Sequence, residues 1–389
     1  MFSNFLPYAR QTIDAADIRA VMKVLRSSHL TTGPTVENFE NKFADRVGAK
    51  YAVAVSSGTS ALHTALVAAG IGPKDEVVTT PYSFAATSNA ILHAGAVPVF
   101  VDIRPDTFNI DPDRIEKKIG KRTKAVVAVH FAGLPCDLDP LQRICRRHGL
   151  KLIEDAAHAL GAVYRGRPIG SVGDLTTFSF HPAKHITTGE GGMITTSSNV
   201  FAERMRRFRN HGITADVNQR NKKNSWKYDI DEIGYNYRLS DIHCALGMSQ
   251  LDNLRRFVDR RRKIAAMYLS ELKDLDAIVL PEGGKGAGTK HSWHLFMIRL
   301  RLNRIQGDRD AVFRDMRQKG IGVTVHYLPI HLFKYYRTRL GCRFGDFPNA
   351  ERLFQEALSL PLFPSMTRSD VRRVVMALKE TMADMKMRP

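Results

Sequence analysis

A single lysine, Lys184, closes the run Asp174-Leu-Thr-Thr-Phe-Ser-Phe-His-Pro-Ala-Lys184 and opens a stretch that ends on Gly189-Glu-Gly-Gly192. The first half of that run is apolar. It reads as a buried strand that delivers the lysine to a tight loop at its carboxyl end. Upstream, Leu150-Lys-Leu-Ile-Glu-Asp155 is a second strand-like run, and it ends on an acid. Lysine is seldom buried without a reason, and inside a site it can lose its proton to become a nucleophile or base. A lysine and an aspartate at successive strand ends are the two groups that a pyridoxal phosphate (PLP) cofactor needs. The amine can form a Schiff base, and the carboxylate can keep the ring nitrogen protonated, which makes the ring an electron sink. The plainer readings are a surface lysine in a loop and an N-cap aspartate ahead of Ala156-Ala157.

Other residues fit the same chemistry without requiring it. In Ser56-Ser57-Gly58-Thr59-Ser60 a strand ends, a glycine turn follows and a helix begins. Free N–H groups and the helix dipole make such an N-terminus an anion site, although Ser57 or Thr59 can equally serve as a simple cap. Phe84 follows the next predicted strand, where an aromatic ring can stack on a planar cofactor or pack in the core. Ser179 has a hydroxyl to offer a phosphate. His158, one turn beyond Asp155, faces either the cofactor's phenolic oxygen or solvent.

These residues need a frame that brings them together. Short apolar runs occur at 51–55, 76–79, 97–102, 124–130, 151–154, 175–180 and 192–195, most of them separated by segments with helical spacing. That alternation predicts an α/β domain with a mainly parallel sheet. In such sheets ligands bind at the carboxyl ends of strands, so the Ser57 turn, the Tyr82-Ser83-Phe84 segment, Asp155 and the Lys184 loop are expected to converge on one crevice. Two helices precede the strands, one over 14–28 and one starting at Gly33-Pro34. A long helix over 241–272 is expected to link residues 1–240, the large domain, to residues 241–389, a small α+β domain. In the latter, strands are expected at 277–280, 294–302 and 322–327, and helices at 310–319, 349–358 and 369–385. Gly283-Gly-Lys-Gly-Ala-Gly-Thr-Lys290 has its Thr-Lys pair in the reverse order of a P-loop, so it reads as a mobile surface loop.

Bulk properties exclude several classes. No apolar run approaches the roughly 18 residues of a membrane span, and the first residues lack the pattern of a signal peptide. The four cysteines are scattered, with no CxxC pair, so neither a metal site nor a disulfide framework is expected and a cytoplasmic setting is. There are 58 Lys+Arg against 39 Asp+Glu, a formal charge of +19 that invites a nucleic-acid reading. The basic residues are dispersed, however, with short clusters at 204–209, 255–263 and 299–304 and no DNA- or RNA-reading motif. Solvated faces are the expected reading, with attraction of a polyanionic small molecule as the functional one.

Taken in order, Leu30-Thr-Thr-Gly-Pro34, Ser57-Gly-Thr59, Pro81 to Asn89, Pro98-Val-Phe-Val-Asp102, Glu154-Asp-Ala-Ala-His158, Phe178 to Lys184, Gly189-Glu-Gly-Gly192 and Gly234-Tyr-Asn-Tyr-Arg-Leu-Ser-Asp241 resemble the DegT-type sugar aminotransferases. These are PLP enzymes of the aspartate-aminotransferase fold, fold type I. The resemblance implies a large domain with a mostly parallel seven-stranded sheet and a smaller C-terminal α+β domain. It assigns Lys184 to the Schiff base, Asp155 to the pyridine nitrogen, His158 to the ring oxygen, Phe84 to ring stacking, and Gly58, Thr59 and Ser179 to the phosphate. Asn236 matches a phosphate contact supplied by a neighbouring subunit, which implies a homodimer with shared active sites. Sugar dehydratases of the family carry histidine in place of the lysine, so Lys184 favours transamination. His185 departs from the Asn or Pro that follows the lysine in the family.

Segments such as His130-Phe-Ala-Gly133, Val325-His-Tyr-Leu-Pro-Ile-His331 and Leu358-Ser-Leu-Pro-Leu-Phe-Pro364 are similar to the branch of the family that serves pseudaminic-acid synthesis. That similarity implies an amino-acid donor such as L-glutamate, and a UDP-linked 4-keto-6-deoxy-N-acetyl sugar as acceptor. His326 and Tyr327 are candidates for the sugar pocket. A related enzyme acting at a 3-keto group, or on a dTDP- or GDP-sugar, would carry the same catalytic set. A PLP-fold regulator that binds nucleic acid through its charge is the reading from another class.

Overall fold

The computed structural model describes residues 5–215, 224–284 and 286–385. Two amphipathic helices come first, α1 (Ala15–Leu25) and α2 (Pro34–Val47). Asp14 and Asp17 form a reciprocal cap on α1, and Pro34 begins α2 where a missing N–H does no harm. Strands and helices then alternate: β1 (Tyr51–Val55), α3 (Gly58–Ala68), β2 (Glu76–Thr79), α4 (Ala86–His93), β3 (Val97–Phe100), β4 (Thr123–Val129), α5 (Leu138–His148) and β5 (Lys151–Asp155). A short hairpin, β6 (Val163–Tyr164) and β7 (Arg167–Pro168), precedes β8 (Leu175–Ser179), β9 (Gly192–Thr196) and α6 (Asn199–Phe208).

Seven strands form one sheet in the order β1-β9-β8-β5-β4-β2-β3. The run from β8 to β3 is parallel, and β9 lies antiparallel between β8 and β1. β1 therefore points the same way as β8, and the carboxyl ends of β1, β2, β4, β5 and β8 share one edge. Apolar residues pack both faces of this sheet, which is why its strands read as apolar runs rather than alternating ones. Each strand expected here is present, with ends within two residues of the sequence-based bounds.

The helix α7 (Asp241–Leu272) runs on from this part. Leu251, Leu254, Phe257 and Val258 belong to the core beneath the large sheet, while Ile264, Tyr268 and Leu272 belong to a second core. Around the latter lie β10 (Ile278–Val279), β11 (Phe296–Leu300), α8 (Arg309–Gln318), α9 (Lys334–Leu340), α10 (Pro348–Glu356), β12 (Ala357–Leu360) and α11 (Arg368–Asp384). The order β10-β11-β12 makes a three-stranded antiparallel sheet. Two expectations fail here. The helix expected over 349–358 stops at Glu356, because the next four residues pair with β11. Residues 322–327 form no strand: Thr324 alone bridges to Ser359, and Gly322 N–H donates instead to Leu6 O at 2.7 Å. That bond belongs to an N-terminal segment whose Leu6 enters the second core.

The glycine-rich segment near 283–290 is irregular at its described residues, Lys285 lying outside them, and Lys290 bridges to Val163. The arginine clusters are less solvated than expected. Arg209 pairs with buried Glu40, Arg204 donates to Ala68 O at 3.0 Å, and Arg261 is buried outright. Among the described residues, no helix is long and apolar enough to cross a membrane, and no cluster of side chains suits a metal ion.

Candidate active site

At the carboxyl edge of the large sheet lies a cavity of about 380 Å³. Gly58, Thr59, Phe84, Asp155, His158, Ser179, Lys184, His326 and Tyr327 all line it, which is every singled-out site residue except Asn236. Asn236 is exposed and bridges to Asn210 on the surface of its own chain.

One end of the cavity is the start of α3. Ser57 caps it: its Oγ accepts from Ser60 N–H at 3.0 Å, and Ser60 Oγ accepts from Ser57 N–H at 2.8 Å. Ser57 carbonyl takes the Ala61 N–H. The N–H groups of Gly58 and Thr59 are left with no acceptor among the described residues. Two free amides on the positive end of a helix suit an anion. Gly58 is needed there for space, since a Cβ would stand 2.8 Å from Ser179 Cβ. The end of β8 thus packs directly on the first turn of α3 and brings the Ser179 hydroxyl to the same place.

The cavity floor is the end of β5. Asp155 is buried; its Oδ2 accepts from Thr87 Oγ1 at 2.7 Å and its Oδ1 from Ala157 N–H at 3.2 Å. Thr87 Oγ1 also meets Ser83 Oγ at 2.8 Å. Behind this floor, Glu154 turns to the opposite face of the strand, where it holds the His130 imidazole at 2.7 Å and the Gly173 N–H at 2.6 Å. Strand alternation thereby assigns the two neighbouring acids to different tasks.

Lys184 enters from the loop after β8, its N–H bonded to His181 O at 2.8 Å. Burial of its ammonium lowers the pKa to about 8; Asp155 opposes the fall and Arg261 adds to it. The imidazoles around it do not compete for protons. Burial pushes His158, His185 and His294 well below the ordinary range, with Lys184 charge adding to each, and it brings His326 to about 3. His185 Nε2–H donates to Ser292 O at 3.2 Å, so the residue that departs from the family pattern is buried beside Lys184 and tied to the segment that precedes His294.

Opposite the floor, the Tyr327 hydroxyl meets His158 Nε2 at 3.2 Å, and its ring lies 5.8 Å from that of Phe84. His326 Nδ1 bonds Ser359 Oγ at 2.9 Å, which ties this wall to β12. Tyr8 and His294 complete the wall, and sequence reasoning missed both. No local pattern marks them, because Tyr8 arrives through the Leu6 bridge to Ile321 and His294 through the turn before β11. Ser83 lies in the cavity as its segment was expected to, whereas Thr87 was missed, although it sits one helical turn beyond Phe84 in a segment already notable.

The chain matches the DegT/DnrJ/EryC1/StrS aminotransferase family over residues 11–379. It belongs to that family. The spore coat polysaccharide biosynthesis protein SpsC of Bacillus subtilis is 41% identical over 383 residues, 97% of each chain. The PMP form of the putative sugar aminotransferase Spr1654 of Streptococcus pneumoniae superposes with a TM-score of 0.92 at 30% identity, covering 97% of this chain and 99% of that one. Helicobacter pylori PseC, an aminotransferase involved in pseudoaminic acid biosynthesis, superposes with a TM-score of 0.89 at 30% identity, covering 98% and 100%. The protein is thus a PLP-dependent sugar aminotransferase with the aminotransferase α/β fold, and PLP and its amine form, PMP, are its cofactors. The donor set agrees: two free amides for a phosphate, a buried carboxylate for a ring nitrogen and a lysine with a lowered pKa share one cavity.

Proposed function

We propose that this enzyme moves an amino group from an amino acid such as L-glutamate to the 4-keto group of a nucleotide-linked 6-deoxy sugar, UDP-linked and in pseudaminic-acid-type synthesis. The observation that carries the reading is the single cavity in which Lys184 and Asp155 face the free amides of α3, with a wall of Tyr8, His294, His326 and Tyr327 left over for a second ligand. The likeness to PseC supports the sugar class. Bound here, PLP supplies an electron sink for the exchange of an amino group.

In this reading Gly58, Thr59 and Ser179 hold the phosphate, Phe84 covers one face of the ring, and Asp155 keeps a proton on the ring nitrogen. His158, neutral and bonded to Tyr327, faces the ring oxygen. Lys184 anchors the cofactor and, when released, carries a proton on Nζ between the cofactor and the sugar carbon. A base whose pKa lies near working pH suits that transfer. His326 and Tyr327 contact the sugar, and the basic surplus draws in the nucleotide diphosphate.

The reading includes a homodimer in which Asn236 completes the partner's phosphate site. In support, Asn236 is exposed, and so are Ile233 (87%) and Tyr235 beside it in the chain, apolar side chains of the kind that interfaces cover. It also includes the division at residue 240 and a cytoplasmic setting, in keeping with four unpaired cysteines. The test is incubation with PLP, L-glutamate and a panel of keto nucleotide-sugars, read by mass spectrometry with Lys184→Ala as control. An aminated UDP-4-keto-6-deoxy sugar is expected. Amination of only a 3-keto, dTDP- or GDP-linked sugar would move the assignment to that substrate, and turnover by Lys184→Ala would overturn the mechanism.

A further inference from the structure

Arg261 lies on α7 with 1% of its surface exposed. Its Nη1 is shared among three main-chain carbonyls: Leu362 at 2.8 Å, His294 at 3.2 Å and Trp293 at 3.3 Å. Its Nε has no partner, and among the described residues all its hydrogen bonds go to those carbonyls. Buried arginines normally keep a carboxylate, as Arg209 keeps Glu40, because an unpaired buried charge is costly.

The carbonyls that Arg261 gathers belong to the cavity wall. His294 lines the cavity. Leu362 accepts from Arg261 through its carbonyl, and its N–H donates to Tyr8 O at 3.1 Å; Tyr8 lines the cavity too. The adjacent carbonyl, Ser292 O, takes the Nε2–H of His185, the residue next to Lys184. Arg261 and the lysine loop thus bond to neighbouring peptide units of one turn.

We propose that Arg261 is a positioning residue for amino transfer: it fixes the wall segments that carry His294 and Tyr8, and it presents an uncompensated positive charge to the His185 side of the Lys184 loop. The inference rests on Lys184 being the working amine. Titratable groups that share the cavity with that amine are Asp155, His158, His181, Glu190, His294, His326, Tyr8 and Tyr327, with His185 and Arg261 behind it. The buried imidazoles of His158, His185, His294 and His326 are neutral, and the charges that act on the amine are Asp155 and Arg261, in opposite directions. Asp155 favours the ammonium and Arg261 the free amine.

The test is the pH dependence of reductive methylation of Lys184 in the cofactor-free protein, followed by peptide mass spectrometry. The midpoint reads the amine itself without turnover, so it stands apart from the substrate panel; the KM reading is taken with whichever keto sugar that panel shows to be aminated. Arg261→Gln is expected to raise the midpoint, each unit of rise slowing labelling about tenfold at pH values below it. Arg261→Lys keeps the charge but cannot reach all three carbonyls, so the midpoint should stay in place while KM for the keto sugar increases. An unchanged or lowered midpoint in Arg261→Gln overturns the proposal. Should that variant not fold, Arg261→Lys decides alone: a raised midpoint, or an unaltered KM, overturns it.

Discussion

At the scale of single residues, Lys184 and Asp155 stood out because residue type and strand position coincide, and the fold brings both into one cavity. Lys184 and Asp155 are charged residues that follow or end apolar runs; each alone could be a loop lysine or an N-cap, and their meeting in one cavity is what sets them apart. Their helpers were hidden. Thr87 touches Asp155 across 68 positions of chain, and although its segment was notable for Phe84, only the fold shows that its hydroxyl reaches the carboxylate. Their ranking follows from what each contact does. In the proposed role Asp155 faces the ring nitrogen, so Asp155→Asn is expected to lower kcat/KM by roughly 10²–10⁴-fold, the usual size of an acid–base contribution. Thr87→Val removes one hydroxyl that only orients Asp155; one hydrogen bond of about 0.5–1.5 kcal/mol makes that a loss of roughly 2–10-fold. Steady-state kinetics on the two variants with one keto sugar checks the order. Equal losses would mean that Thr87 does more than hold the carboxylate.

At the scale of elements, burial on both faces made the large sheet legible, because each strand is a short apolar run between helical segments. The C-terminal part was harder for the opposite reason. Ala357–Leu360 continues the helical spacing of α10, and only its partner β11, some sixty residues earlier, makes it a strand. Residues 322–327 carry the composition of a strand but are held by Leu6 on one side and by a single bridge on the other. The first turn of α3 is where element packing becomes chemistry. Its backbone is ordinary helix, so alanine at 58 meets no conformational penalty; the 2.8 Å approach to Ser179 Cβ is the whole difficulty. Gly58→Ala must push α3 away from β8, at a cost of about 1–3 kcal/mol for overpacking. The loss should fall on PLP affinity, because the displaced groups are the free amides and the Ser179 hydroxyl. Fluorescence titration of the cofactor-free variant is expected to show Kd raised by roughly tenfold or more, with secondary structure retained by circular dichroism.

At the scale of the whole molecule, the proposed homodimer gives Asn236 a role that mixing of subunits can test. Asn236 is the only singled-out site residue outside the cavity, and it sits between Tyr235 and Tyr237, whose stacked rings are 4.9 Å apart. Tyr237 hydroxyl meets His63 Nδ1 at 3.2 Å, so the segment that carries Asn236 is fastened to α3 of its own chain. Asn236 on this segment is exposed, with exposed Ile233 and Tyr235 beside it in the chain, and a second copy related by two-fold symmetry is the simplest thing to cover them. Subunit mixing separates this arrangement from a structural role for Asn236. Lys184→Ala protomers lack the amine, and Asn236→Ala protomers lack the amide; each homodimer carries two damaged sites. A mixed dimer would carry one site with both defects and one with neither, since the intact lysine of one chain would meet the intact Asn236 of the other. Random re-association of equal amounts should therefore restore up to roughly a quarter of the wild-type sites, counted by burst amplitude with the amino donor. If Asn236 serves only its own chain, every site in the mixed dimer keeps one defect, and mixing restores nothing beyond the average of the parents.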